Sequence, residues 1–162
     1  MEVKPTTADF AYAAARAVEA GADTVEVHAA NGYPVHQFLA PDSHDRTGKY
    51  GGSMLNLARF TKEVARAVAD AIEPEKAPIR PSPGLPTGGI ADGQDKHDLY
   101  RCLPAEFETL GLEYLHVPSV RTIPLADNMR QMAGDPPRSS SVPWPITWSN
   151  EPLFLSQHDI HA

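Results

Sequence analysis

Apolar positions change period several times along the chain, and each change marks an element. Phe10, Ala13, Ala14, Ala17 and Val18 recur at i, i+3, i+4, i+7 and i+8, one face of a helix. Asp9 is suited to cap its start and Gly21 its end. The period then drops to two. Thr24 to His28 reads as a short strand, with Val25 and Val27 on one face and Glu26 and His28 on the other. Residues 33 to 53 hold no period and predict a long loop with short helical stretches. Ser53 starts a second helix with apolar positions Leu57, Phe60, Val64, Ala67, Val68 and Ala71, and Pro74 ends it. Ile79 to Ser82 is the second strand. After a Pro- and Gly-rich loop, Asp95 to Leu110 is a third helix with Leu99, Cys102, Leu103, Phe107 and Leu110 on one side. Pro104 should kink or split it, Gly111 terminates it, and Tyr114 to Val117 is the third strand.

Helices alternating with strands, joined by linkers long enough for crossovers, predict a parallel α/β arrangement. In a barrel, Val25 and Val27 would pack on the outer helices. Glu26 and His28 would point inward, with His28 nearest the mouth. The chain has 162 residues, enough for one core but short of the roughly 250 of a full (β/α)8 barrel. The expected fold is a partial (β/α)8 TIM barrel, truncated to about three strands and three helices over residues 1–121. Beyond it the character changes. Seven of the sixteen prolines fall in 118–162, with a serine run at Ser139 to Ser141, so 122–162 is expected to be an irregular, Pro-rich tail. Trp144, Trp148 and Phe154 are the tail residues able to dock on the barrel core.

A formal net charge of −7 argues against a nucleic-acid partner. No apolar run approaches the ~20 residues of a membrane span, and the N-terminal residues lack the apolar stretch of a signal peptide. One cysteine, Cys102, fits a reducing cytosol, so a cytoplasmic location is expected. Cys102 itself reads as a small buried hydrophobe. No metal is expected. His28, His36 and His44 lie eight apart, which matches no compact zinc pattern, and His158 and His161 stand alone in the tail. Thr87-Gly88-Gly89 is too generic for a phosphate loop.

The candidate chemistry lies just after the first strand. His28-Ala29-Ala30-Asn31-Gly32-Tyr33 puts an imidazole, an amide and a phenol within six residues. Side chains at the C-terminal ends of parallel strands face the active-site mouth. A His and an Asn there could grip one carbonyl oxygen, and a Tyr could hand over a proton. The run continues with Gln37-Phe38-Leu39, Pro41, Arg46-Thr47, Tyr50-Gly51-Gly52-Ser53, Asn56 and Arg59-Phe60. Ile79-Arg80-Pro81-Ser82-Pro83 and Gly111 to Val117 follow.

In this register the chain resembles the Old Yellow Enzyme family of flavin-dependent ene reductases over about residues 8 to 121. The resemblance implies FMN as cofactor, NADPH or NADH as hydride donor, and a small-molecule enone as substrate. It implies that His28 and Asn31 bind the substrate carbonyl oxygen, that Tyr33 donates the proton, and that Arg80 lies beside the flavin. The family's usual loop Asn is His44 here, the acid after Arg-Thr is Gly48, and a helix Arg is Leu57. Pro78, Pro81 and Pro83 crowd the Arg80 strand, and proline is poorly tolerated in central strands. Arg80 therefore reads as the flavin-edge cation or, if the prolines break the strand, as a solvated side chain. Tyr50 to Ser53 is read as a turn into a helix cap, Arg59 as a structural ion-pair partner, and Glu26 as a buried structural acid. A second reading is a noncatalytic barrel fragment that associates through its open sheet edges, with a pseudo-barrel of two copies as a third.

Overall fold

The computed structural model describes residues 2–84, 89–90, 93, 96–112, 114–118 and 146–149. Its elements are α1 (Val3–Glu19), β1 (Val27–Ala29), α2 (Pro34–Leu39), α3 (Met54–Ile72), β2 (Ile79–Pro81), α4 (Lys96–Glu108), β3 (Leu115–Pro118) and β4 (Ile146–Ser149). The sheet order is β1-β2-β3-β4, and every neighbouring pair is parallel. Sequential parallel strands, with helices between β1 and β2 and between β2 and β3, form one arc of a barrel wall.

Helix α1 begins well before Asp9, which lies inside it, and its N-cap Glu2 offers no side-chain cap. The early start is supported locally. The Thr6 and Thr7 hydroxyls donate back to the carbonyls of Glu2 and Val3 at 2.7 and 3.0 Å. Pro5 falls in the first turn, where its missing N–H costs nothing. The C-terminus ends as expected on Gly21, at φ +101. Gly21 N–H donates to Val18 O and Ala22 N–H to Ala17 O, the paired closure of a Schellman motif.

Helix α3 starts at Ser53, whose hydroxyl accepts Asn56 N–H at 3.4 Å. It buries Leu57, Phe60, Val64 and Val68 as the period predicts. Ala71 stays exposed, while Ala58, Ala65 and Ala69 are buried instead. The buried stripe is wide because α3 packs against α1, α2 and α4 together.

The prolines shorten β2 without breaking it. In a parallel ladder successive residues address opposite neighbours. Pro78 serves β1 through its carbonyl, which accepts Val27 N–H at 2.8 Å. Ile79 N–H donates to Tyr114 O at 3.2 Å, so Pro81, two residues on, also faces β3 and has no N–H to give. Pairing with β3 is accordingly confined to Ile79↔Leu115, whereas three residue pairs join β2 to β1. Arg80 stays in the strand, opposite His28.

Two further expectations change. Helix α4 is not split: it runs unbroken across Pro104, with Leu99, Leu103 and Phe107 buried on both sides of the proline. Tertiary packing outweighs one missing backbone bond. The tail is not wholly irregular either. Ile146–Ser149 pairs with β3 over four residues. Its Ile-Thr-Trp sequence favours extended chain, Pro145 precedes its first residue where proline is tolerated, and β3 otherwise offers an open edge. Asp95, the rest of the tail with Trp144, Phe154, His158 and His161, the Trp148 side chain, and residues 87 and 88 lie outside the described residues.

The core joins Phe38, Phe60, Ile79, Leu99, Tyr100, Leu103, Phe107, Leu115 and Val117. Cys102 is half-buried against it, its Sγ donating to Leu99 O at 3.0 Å. Burial, with Glu106 nearby, pushes its thiol up, as befits a packing residue. Among the described residues, no helix is long and apolar enough to cross a membrane, and no group of three His, Cys, Asp or Glu could hold a metal.

Candidate active site

The chain reverses as soon as β1 ends. Tyr33 N–H donates to Ala30 O at 3.1 Å, with Asn31 at φ +55 and Gly32 at φ +83 between them. Two left-handed central residues define a type I′ turn, for which Asn-Gly is the favoured pair. Asn31 N–H donates to Oγ of Ser82, a fully buried residue directly after β2, at 3.0 Å. The turn bearing Asn31 is thereby tied to the strand bearing Arg80.

Tyr33 is the N-cap of α2, and Pro34 fills the first helical position, where no N–H is needed. The phenol does no capping. It is 60% exposed and meets the His28 ring edge to face, with centroids 5.2 Å apart.

His28 and Arg80 are paired in register, and the Ile79↔Leu115 pairing sets His116 level with both. Val27, Ile79 and Leu115 are buried on the other face. His28, Arg80 and His116 thus form one row of half-buried polar side chains across three strands. Glu26 shares that face. Its Oε2 lies 2.9 Å from His116 Nδ1, so it is a structural partner, although partly exposed rather than buried. Burial is the main cause that holds the His28 imidazole below its ordinary value. Arg80 and His36 add to it and Glu26 opposes it. The neutral ring, which donates through one N–H, is favoured.

The following loop is wrapped on Phe38, whose ring lies 4.2 Å from Phe60, 5.7 Å from His44 and 6.1 Å from Tyr50, centroid to centroid. The Arg46 guanidinium sits 4.9 Å above it. His44 Nδ1 accepts Arg46 N–H at 3.1 Å, which leaves Nε2 as the donor toward Phe38 O at 3.3 Å. His44 thus fastens the loop. Asn56 Nδ2 donates to the carbonyls of Gly48 and Gly51 at 2.9 and 3.0 Å. Arg59 supports the same turn, its guanidinium donating to the Lys49 carbonyl at 2.8 Å and to Asn56 Oδ1 at 3.3 Å. A groove of about 410 Å³ between α3 and α4, lined by Leu55, Lys62, Glu106 and Leu110, involves none of these strand-end residues.

The structure brings His28, Asn31, Tyr33 and Arg80 to one end of two adjacent strands. Sequence reasoning gave Ser82, His36, Gln37 and His116 no role in the site. The available signals were a polar residue two places after Arg80, two polar residues in the first turn of a helix that follows Asn-Gly, and a histidine in the row of Arg80.

A parallel β/α wall that presents its polar side chains at strand ends is the architecture of a barrel enzyme. The chain belongs to the NADH:flavin oxidoreductase / NADH oxidase family, whose model matches residues 1–130. It is 48% identical over 94 residues to enoate reductase 1 of Kluyveromyces lactis, covering 58% of this chain and 24% of that protein. It is 35% identical over 144 residues to putative 12-oxophytodienoate reductase 9 of Oryza sativa, covering 89% of this chain and 33% of that one. A structure of morphinone reductase in complex with tetrahydroNAD superposes with a TM-score of 0.74 at 42% identity, covering 80% of this chain and 36% of that chain. An Old Yellow Enzyme homologue from Zymomonas mobilis shares the fold, with a TM-score of 0.79 at 23% identity over 93% of this chain and 42% of that one. The chain thus spans a quarter to a third of the length of these two curated relatives. FMN is the family's cofactor.

Proposed function

We propose that the chain carries the substrate-binding side of an FMN-dependent ene reductase site of the Old Yellow Enzyme type. Its reaction is reduction of the activated C=C bond of an α,β-unsaturated carbonyl with NADPH or NADH. The observation that carries this reading is the contact of His28 with Tyr33 beside Arg80, with Asn31 in the turn between them.

Once bound and reduced by NADPH or NADH, FMN would be the source of the hydride that reaches the β-carbon. Negative charge then develops on the carbonyl oxygen, and His28 and Asn31 donate hydrogen bonds to it. A neutral imidazole and an amide suit that role, since each donates without bringing full charge. Tyr33 gives its phenolic proton to the α-carbon. Arg80 fits the flavin: it is a half-buried cation on the inward row, and its field already acts on His28. It would hold the pyrimidine edge and favour an electron-rich ring there.

The test is FMN titration of the purified chain, followed at the flavin band near ~450 nm and by calorimetry. We expect weak binding that Arg80→Gln weakens further, and enone turnover with NADPH that depends on Tyr33. FMN affinity indifferent to Arg80→Gln would remove Arg80 from the site. The second reading, a noncatalytic fragment that pairs through its edges, draws on β1 and β4 as the outer strands of the described sheet. Concentration-dependent association without flavin, in light scattering, would favour it.

A further inference from the structure

We propose that His36 is a positioning residue of this site: by accepting Gly32 N–H, it fixes the turn that presents Asn31 and Tyr33. The proposal rests on reading those two residues as the groups that contact substrate.

The turn needs outside support. Asn31 sits at φ +55, a left-handed conformation that Asn adopts more readily than most residues but that still costs free energy unless the turn is held from outside. Helix α2 supplies much of that support. Gly32 N–H donates to His36 Nδ1 at 2.9 Å, and Gln37 Nε2 donates to Gly32 O at 2.7 Å. Both backbone groups of Gly32 are therefore held by consecutive side chains of one helix.

The bond also differs from an ordinary helix cap. A helix N-terminus leaves N–H groups to be satisfied, usually by the N-cap side chain. Here the N-cap is Tyr33, which makes no such bond. His36 stands three residues on, where a capping box places the side chain that reaches back to a backbone N–H. It reaches one residue further, to Gly32. His36 is fully buried, so its ring cannot drift from that geometry. An acceptor at Nδ1 requires the tautomer with its proton on Nε2.

An Asn/Gln pair separates acceptor position from polarity. The Oδ1 of Asn falls where Nδ1 of His lies, and the Oε1 of Gln reaches beyond it. The experiment uses the full chain, His36→Asn and His36→Gln. Gly32 amide exchange is read by NMR, and binding of p-nitrophenol, whose phenolic oxygen can accept from His28 and Asn31, is measured with FMN added. Loss of the bond should speed Gly32 exchange about tenfold in His36→Gln and leave His36→Asn within about twofold of the parent. p-Nitrophenol affinity should fall in the same order. Equal Gly32 exchange in the two variants would overturn the proposal. If neither variant folds, the parent's long-range ¹H–¹⁵N spectrum decides: a bare His36 Nδ1 supports the clamp, and a proton on it overturns it. If exchange follows the expected order while p-nitrophenol binds none of the proteins, the clamp stands and the substrate reading falls.

Discussion

His28 and Tyr33 meet edge to face across the first turn after β1, their planes at 65° and their centroids 5.2 Å apart. The contact is made by the ring, and Tyr33 is 60% exposed. Structure and chemistry at Tyr33 are therefore separable. Tyr33→Phe keeps the ring contact and removes only the proton. Its stability should stay within about 0.5 kcal/mol of the parent, while enone turnover falls on the order of 10²–10⁴-fold. Chemical denaturation and steady-state kinetics measure the two, and unchanged turnover would remove Tyr33 as proton donor.

The His28 imidazole makes stability depend on pH with a definite sign. Burial, then Arg80, holds it below the ordinary 6.5. Between that lowered value and about 6.5 the unfolded chain binds more protons than the folded one, so stability rises with pH. The contribution is fully present above 6.5 and is lost as pH falls through the folded value. An NMR titration reads the midpoint. Arg80→Met should move it up and Glu26→Gln down, because their charges act in opposite directions. Movement of both in one direction would contradict the electrostatic account.

The adjacent glycines before α3 should fail differently. A Cβ on Gly51 would lie 1.8 Å from the Arg46 carbonyl oxygen, a clash with backbone. Gly52 has open space but sits at φ +82. Gly51→Ala should cost about 1–3 kcal/mol through overpacking. Gly52→Ala should cost about 1 kcal/mol through its left-handed backbone. Urea denaturation ranks them, and a harmless Gly51→Ala would mean that the Arg46 loop can retreat.

The α3 face and the parallel β/α arrangement were legible because burial follows period: Leu57, Phe60 and Val64 in α3, and the alternation around His28, came directly from spacing, whereas the place of Arg80 came from the resemblance and stayed open between two readings. The type I′ turn was latent in Asn31-Gly32. Strand β4 was hidden because its four residues are too few to show a period among prolines, and long-range pairing with β3 creates it. The clamps on the turn were hidden for another reason. The Ser82 bond to Asn31 spans 51 positions, and nothing local in the sequence reports it. His36 and Gln37 are close in sequence, but their polarity reads equally well as solvent exposure until the short helix α2 folds His36 inward.

Phe38 is the residue on which the long loop depends. Its ring touches Phe60 in the core and carries His44, Arg46 and Tyr50 around it. Tyr50 has a second tether, its hydroxyl to Glu63 Oε2 at 2.8 Å, and His44 holds the Arg46 backbone. Truncation at Phe38 therefore removes core volume and the loop's common support together. Phe38→Ala should cost about 3–5 kcal/mol and open residues 40–50 to limited proteolysis. Phe38→Leu keeps part of the volume but no aromatic face, so it should cost less while still loosening the loop. Proteolytic resistance in Phe38→Leu equal to the parent's would show that the tethers of Tyr50 and His44 suffice, and that packing on the ring does not set the loop.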